Sequence, residues 1–213
     1  MAMGCIKTAL SIAIVYSQQR LAVGASGLSD TPIMSYQLQQ NALFPLAARA
    51  FVYNFGLNAA KQLFERNVRA PSLDTKTKII KTCCVVKAMI SWHQEKSARV
   101  CRERCGGAGY LSKNRLGEMV FQSHSGMTAE GDNRVLMQKV VKDIFTHAQK
   151  NRHDNPVFDK RRVLELSKTE NVSMENMRDM ILMKESFEIK RFSKILKEKI
   201  MEKGQPFYDV WMY

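Results

Sequence analysis

The stretch MTAEGDNRVLMQKVVKDIF, residues 127–145, sets Glu130 and Asp132 directly ahead of a run with helical apolar spacing. Carboxylates at a helix N-terminus are favoured by the free N–H groups and the macrodipole there. A carboxylate can also serve as a general base when removal from water strengthens its hold on a proton. Asp132 is the more economical cap, being shorter and closer to the helix. Residue types alone leave both roles open for Glu130.

Other chemistry is less well supported. The five cysteines are Cys5, Cys83, Cys84, Cys101 and Cys105, with no C-x-x-C pair, and none of the four histidines sits at zinc-ligand spacing to them. Cys101 and Cys105 lie one helical turn apart, which could present two ligands but no second pair. The expected reading is no metal and buried thiols in a reducing compartment.

The net charge of +13 is unevenly placed. Residues 1–150 carry 20 Lys and Arg against 9 Asp and Glu, whereas residues 151–213 carry 13 against 11. A basic surface can draw in nucleic acid, anionic lipid or phosphorylated small molecules. The basic residues are dispersed, with KTKIIK (76–81) and RVCRERC (99–105) as the densest runs. That argues against nucleic acid and for a solvated surface able to serve phosphates. The apolar run from Ala9 to Tyr16 is too short to span a membrane and is interpreted as part of a core helix.

These residues must be positioned by helices. Apolar and small residues on nearly every turn predict a buried helix over 2–22, and GASGLSDTP (24–32) reads as a loop. Asp30, Thr31 and Pro32 signal a new helix start, and the helical pattern continues from Ile33 to Val68. Pro45 inside it predicts a kink or a late start. RAPSLD (69–74) breaks the chain, with Ser72 or Asp74 as the next cap, and a third helix spans 75–105 until Gly106 and Gly107 stop it. A short helix around Asn114–Phe121 and a long one from about Gly131 to Lys150 follow. The fold class expected is all-α: an antiparallel helical bundle over 1–150, with truncation of its first helix left open. A polar boundary, NRHDNPVFDKRR (151–162), precedes an amphipathic helix at 174–203, so 151–213 reads as a helical extension, a partial second domain or arm.

Three stretches then become specific together: YSQQRLAVGASGLSDTPIMSYQLQQNALFPLAA (16–48), CRERCGGAGYLSKNRLGEMV (101–120) and MTAEGDNRVLMQKV (127–140). In this order and spacing, residues 1–150 resemble the C-terminal helical domain of the acyl-CoA oxidases. That resemblance implies FAD-dependent oxidation of a fatty acyl-CoA to the trans-2-enoyl-CoA in β-oxidation, with hydrogen peroxide as co-product. The family's base is the Glu of a T-x-E-G-[DEN]-N segment, which is Glu130 here.

The resemblance also implies a homodimer with FAD at the subunit interface. Arg20 matches the arginine reaching the FAD pyrophosphate, and Gly106 with Gly107 match a glycine pair over which the backbone approaches the cofactor. Gln37 falls where family members present polar side chains near the adenosine, and Asp132 is set equally between capping and a polar contact near an FAD phosphate. Plainer roles exist for each: a charge ending a helix for Arg20, a C-cap for the glycines, a surface position for Gln37. Family enzymes carry an N-terminal helical domain and a middle β-domain ahead of this segment. This chain is therefore expected to be a portion of such an enzyme that does not turn over alone, or alternatively a non-catalytic scaffold derived from the fold. Peroxisomal localisation is implied by the family only, since the terminal VWMY is not an SKL-type address.

Overall fold

The computed structural model describes residues 1–150, 165 and 173–204. The chain divides into two compact units, Met1–Lys142 and Asp143–Tyr213. The first holds four complete helices: α1 (Ala2–Gln19), α2 (Gln37–Arg69), α3 (Leu73–Arg104) and α4 (Leu116–Thr128). It also holds the start of α5 (Asn133–Lys150), within which the division falls.

α3 is the central helix, packed by α1, α2 and α4. Its neighbours bring Met3, Ile6, Leu10, Leu43, Leu46 and Leu116 to one core with Ile90, Cys101 and Cys105. Ala9, Ala13, Ala50, Ala88 and Ala98 are also buried, and such small side chains let helix backbones approach closely. Ile6, Leu43 and Leu116 are fully buried, each contributing about 1.5–3 kcal/mol by removal from water.

The helix boundaries follow local chemistry. Ser72 caps α3, its Oγ accepting the Thr75 N–H at 3.1 Å, which selects it over Asp74. Cys105 ends α3, and Gly106 beyond it takes the left-handed φ of 55°. α2 runs unbroken through Pro45, so the late start is not seen. Pro45 lies on an exposed face, where water can reach the Asn41 carbonyl left without its helical donor.

Two expectations about the 24–32 loop and its exit are corrected. Thr31–Pro32 does not open a helix but pairs antiparallel with Leu21–Ala22, forming a two-residue ribbon. Its tight packing explains Gly24, where a built Cβ would lie 1.9 Å from Thr31 Oγ1. After one 3-10 turn (Ile33–Ser35), α2 starts at Gln37. The fourth helix, Leu116–Thr128, starts two residues later than expected, where Asn114 Oδ1 accepts the Leu116 N–H, and runs on past Phe121 to Thr128.

In the second unit, α6 (Met174–Lys197) is capped by Ser173, whose Oγ accepts from Asn176 N, and passes into a π-turn over Glu198–Glu202. Phe145 of α5 meets Phe192 of α6 edge-on, with centroids 5.8 Å apart. The polar boundary at 151–162 and the aromatic tail at 205–213 lie outside the described residues.

Candidate active site

Two candidate regions form along α3. The first gathers where α1 ends, α2 begins and α3 ends. Gln39 of α2 is buried, and its Nε2 donates to Ser17 Oγ of α1 at 2.7 Å and to the Arg104 carbonyl of α3 at 3.1 Å. One amide thus ties three helix ends. Ser17 Oγ in turn donates to the Ala13 carbonyl at 2.6 Å. Around this bolt lie Arg20, Gln37, Gly106 and Gly107, all exposed. Arg20 is the C-cap of α1, and its carbonyl accepts the Ile33 N–H at 2.9 Å.

The glycines divide their roles. A Cβ built on Gly106 or Gly107 meets no heavy atom within 4 Å, so the backbone there faces open space. Gly109, by contrast, is buried, and a Cβ there would sit 2.1 Å from the Arg102 carbonyl. Gly109 lets the GGAGY turn fold back on α3, and Gly106 supplies its reversal. An open backbone and an exposed guanidinium at the same end of α3 are groups that a diphosphate ligand can use. The Arg104 Nε is buried with no partner among the described residues, a further donor at this end.

The second region surrounds Glu130. Between α4 and α5 the chain makes a turn in which Glu130 has φ 57° and Gly131 φ 100°. A non-glycine residue in the left-handed region costs about 1–2 kcal/mol and needs surrounding structure to hold it. Asp132 then caps α5, with Oδ1 accepting from Arg134 N at 2.9 Å and Val135 N at 3.3 Å. Asn133 is 2% exposed, its Nδ2 donating to Ser91 Oγ at 2.8 Å, while Ser91 donates to the Lys87 carbonyl at 2.8 Å. Lys87 Nζ donates to the carbonyls of Met127 (3.3 Å) and Gly131 (2.6 Å) and to Asn133 Oδ1 (2.9 Å).

Glu130 is exposed at the rim of a cleft of about 560 Å³ bounded by α1, α2, α3 and α4. Ala2, Leu57, Ala60 and Ile90 give it apolar walls, and Gln94 and Gly126 line it too. Gln94 is 3% exposed and its Nε2 has no hydrogen-bond partner among the described residues. Glu130's carboxylate accepts no hydrogen bond among the described residues, so its oxygens remain free. The chain itself leaves that carboxylate in water, so the desolvation expected of a working base has to come from whatever covers the cleft.

The thiols do not join either region as reactive groups. Burial, seconded by neighbouring Cys105, pushes the Cys101 thiol up to about 12, and burial raises Cys105 as well. Both stay protonated and pack as small apolar groups. Cys83 departs from the expected burial and is exposed, at the edge of the Glu130 cleft. Among the described residues, no group of three or more His, Cys, Asp or Glu could hold a metal ion. No described helix is long and apolar enough to cross a membrane.

The structure therefore brings Arg20, Gln37, Gly106 and Gly107 to one end of α3 and sets Glu130 and Asp132 elsewhere. Lys87 and Arg104 are about 25 Å apart along the axis, at roughly 1.5 Å per residue. Sequence reading passed over Gln39, Lys87, Gln94 and Asn133. Gln39 shares its helix face with buried Leu43, Leu46 and Ala50, and Gln94 shares its own with Ile90 and Cys101. A polar residue in such an apolar stripe was the available signal.

A family profile described as the acyl-CoA oxidase C-alpha1 domain matches residues 1–145. The chain belongs to the acyl-CoA oxidase family. Peroxisomal acyl-coenzyme A oxidase 3 of Arabidopsis thaliana is 34% identical over 141 residues, covering 65% of this chain and 20% of that protein. Among solved structures, Arabidopsis thaliana acyl-CoA oxidase 1 superposes with a TM-score of 0.79 at 24% identity, covering 99% of this chain and 35% of that one. Acyl-CoA oxidase-1 of Caenorhabditis elegans, solved with FAD and ATP, gives 0.78 at 19% identity over 99% of this chain and 33% of that one. The helical fold of this chain matches about a third of each of these solved oxidases. This acyl-CoA oxidase domain spans about a fifth of the length of the curated relatives it matches.

Proposed function

We propose that this chain is the C-terminal helical portion of a peroxisomal, FAD-dependent acyl-CoA oxidase, acting on a fatty acyl-CoA as a homodimer, with Glu130 as the base. The observation that carries the reading is the placement of Glu130. Its carboxylate has no hydrogen-bond or ion-pair partner among the described residues, projects from a braced left-handed turn, and stands at the rim of a mostly apolar cleft.

In this reading a carboxylate oxygen of Glu130 takes the α-proton beside the thioester. The electron pair of that C–H bond becomes the second bond of the 2,3-alkene as the β-hydrogen leaves with its own pair. Apolar walls such as Leu57 and Ile90 take the acyl chain and keep water from the acid. Arg20 pairs with a pyrophosphate through its planar guanidinium, and the open backbone at Gly106 and Gly107 admits the dinucleotide. Gln37 stands at the start of α2 to meet an adenosine, and Asp132 is committed through Oδ1 to its helix. When bound, FAD would supply the hydride acceptor and, in an oxidase, the route for two electrons to dioxygen.

The test is product chemistry. The flavin-loaded protein that contains this chain, given palmitoyl-CoA in air, is expected to yield enoyl-CoA and hydrogen peroxide in equal amounts. A protein that binds neither flavin nor acyl-CoA would instead support a non-catalytic scaffold. That second reading is favoured by the outer face of α2, where Phe44, Phe51 and Phe55 are 52%, 70% and 71% exposed. An apolar face of that kind suits contact with other protein.

A further inference from the structure

We infer that Lys87 is the positioning residue for the Glu130 base, its ammonium clamping the turn from which that carboxylate projects. The inference rests on the reading of Glu130 given above. An ammonium offers three donors from one nitrogen, and here all three are used on acceptors that bracket Glu130 in the chain: Met127 O, Gly131 O and Asn133 Oδ1.

Each acceptor has a distinct need for the bond. Met127 lies in the last turn of α4, where carbonyls have no helical donor, and a cation is favoured at that end. The Gly131 carbonyl belongs to the pair of left-handed residues, whose conformation persists only where neighbours over-determine it. Asn133 is buried, and besides Lys87 its Oδ1 has the Ser91 hydroxyl at 3.2 Å, so loss of the ammonium would leave a buried acceptor underpaired. Lys87 is itself half-buried on the central helix, anchored at its own carbonyl by Ser91, which Asn133 also bonds. The clamp is therefore closed on both sides of the turn.

What it leaves alone is equally informative. Lys87 does not bond the Glu130 carboxylate, and no other described residue does. A lysine paired to that carboxylate would compete with a substrate for its oxygens. One that bonds only the flanking backbone fixes where the carboxylate points and leaves it free to accept a proton. Base catalysis depends on such placement, since a displacement of about 1 Å can cost roughly 100-fold in rate.

The test uses the flavin-loaded protein that contains this chain, with Lys87→Met, Lys87→Arg and Glu130→Gln beside wild type. Anaerobic flavin reduction by saturating palmitoyl-CoA is expected to slow about 100-fold in Lys87→Met, with palmitoyl-CoA Kd within threefold of wild type. Lys87→Arg keeps the charge but cannot place three bonds from one nitrogen, and is expected to lose about tenfold. That variant carries the test if Lys87→Met does not fold. In the flavin-free protein, amide hydrogen exchange over 127–133 is expected to accelerate at least tenfold in Lys87→Met, while 88–98 on α3 is unchanged.

Reduction at the wild-type rate in both Lys87 variants, with Glu130→Gln inactive, overturns the clamp and leaves the base assignment standing. Unchanged exchange over 127–133 overturns it too. If Glu130→Gln reduces flavin like wild type, the base assignment fails instead, and the exchange result alone shows whether Lys87 holds the turn.

Discussion

Along α3, the last turn at Arg104 and the stretch Lys87–Ser91 are each organised by a buried amide from another helix, Gln39 at one and Asn133 at the other. At Arg104 the amide bolts together three helix ends in ordinary conformations, and the groups offered outward are an open backbone and exposed side chains. At Lys87 the amide joins a lysine in bracing a strained turn, and the Glu130 carboxylate, without a partner among the described residues, is offered outward. The first arrangement suits recognition of a large anionic ligand, where reach and open approach matter. The second suits proton removal, where the angle of one group matters. The difference shows that buried polar side chains can build either kind of site while the chemistry remains with neighbours that the bolt does not touch.

Glycine substitutions should separate the two roles at the Arg104 end. Gly109→Ala forces a Cβ against the Arg102 carbonyl and is expected to cost about 3 kcal/mol, read as a fall in Tm. Gly107→Ala meets open space and should stay within about 0.5 kcal/mol of wild type while lowering flavin content. Equal losses of stability in the two would erase the distinction between a packing glycine and an approach glycine.

At the other end, Asn133→Ala leaves Lys87 and Ser91 short of partners and is expected to cost about 2 kcal/mol. Asp132→Ala removes only a cap, for about 1 kcal/mol, with the flavin retained. Flavin loss in Asp132→Ala at unchanged stability would move that residue to the cofactor side of the comparison.

The smallest effect expected is pH-dependent and belongs to neither site. Burial lowers the pKa of His93, opposed by its bond to the Leu46 carbonyl and aided by the charges of Arg49 and Lys96. The unfolded chain therefore binds the proton more readily than the native one. Stability is full above about pH 6.5 and falls as pH drops below it. Urea midpoints between pH 7.5 and 5 should show this fall, flattened in His93→Gln. A rise on acidification would reverse the sign.

Much of this was legible in the sequence because it is local. Ser72 announces a helix start, Gly106 a helix end and Asp132 a cap, each through chemistry reaching only two or three residues. Glu130 stands out in the sequence only through its family segment, and its role there remains a proposal. What the sequence hid was tertiary. Gln39 meets Arg104, and Lys87 meets Asn133, across separations that leave no periodic trace. The ribbon at Leu21–Ala22 and Thr31–Pro32 escaped because two residues are too few to show alternation. Gln37 and Gln39 differ by a rotation of α2, so only the packed structure shows which one turns inward.

The central claim, that Glu130 removes the α-proton, is tested most directly by one anaerobic single-turnover measurement. Wild type and Glu130→Gln, both flavin-loaded, are mixed with excess palmitoyl-CoA and the loss of flavin absorbance is followed. The variant is expected to slow by about 100- to 10,000-fold with acyl-CoA binding preserved. Bleaching at the wild-type rate would contradict it.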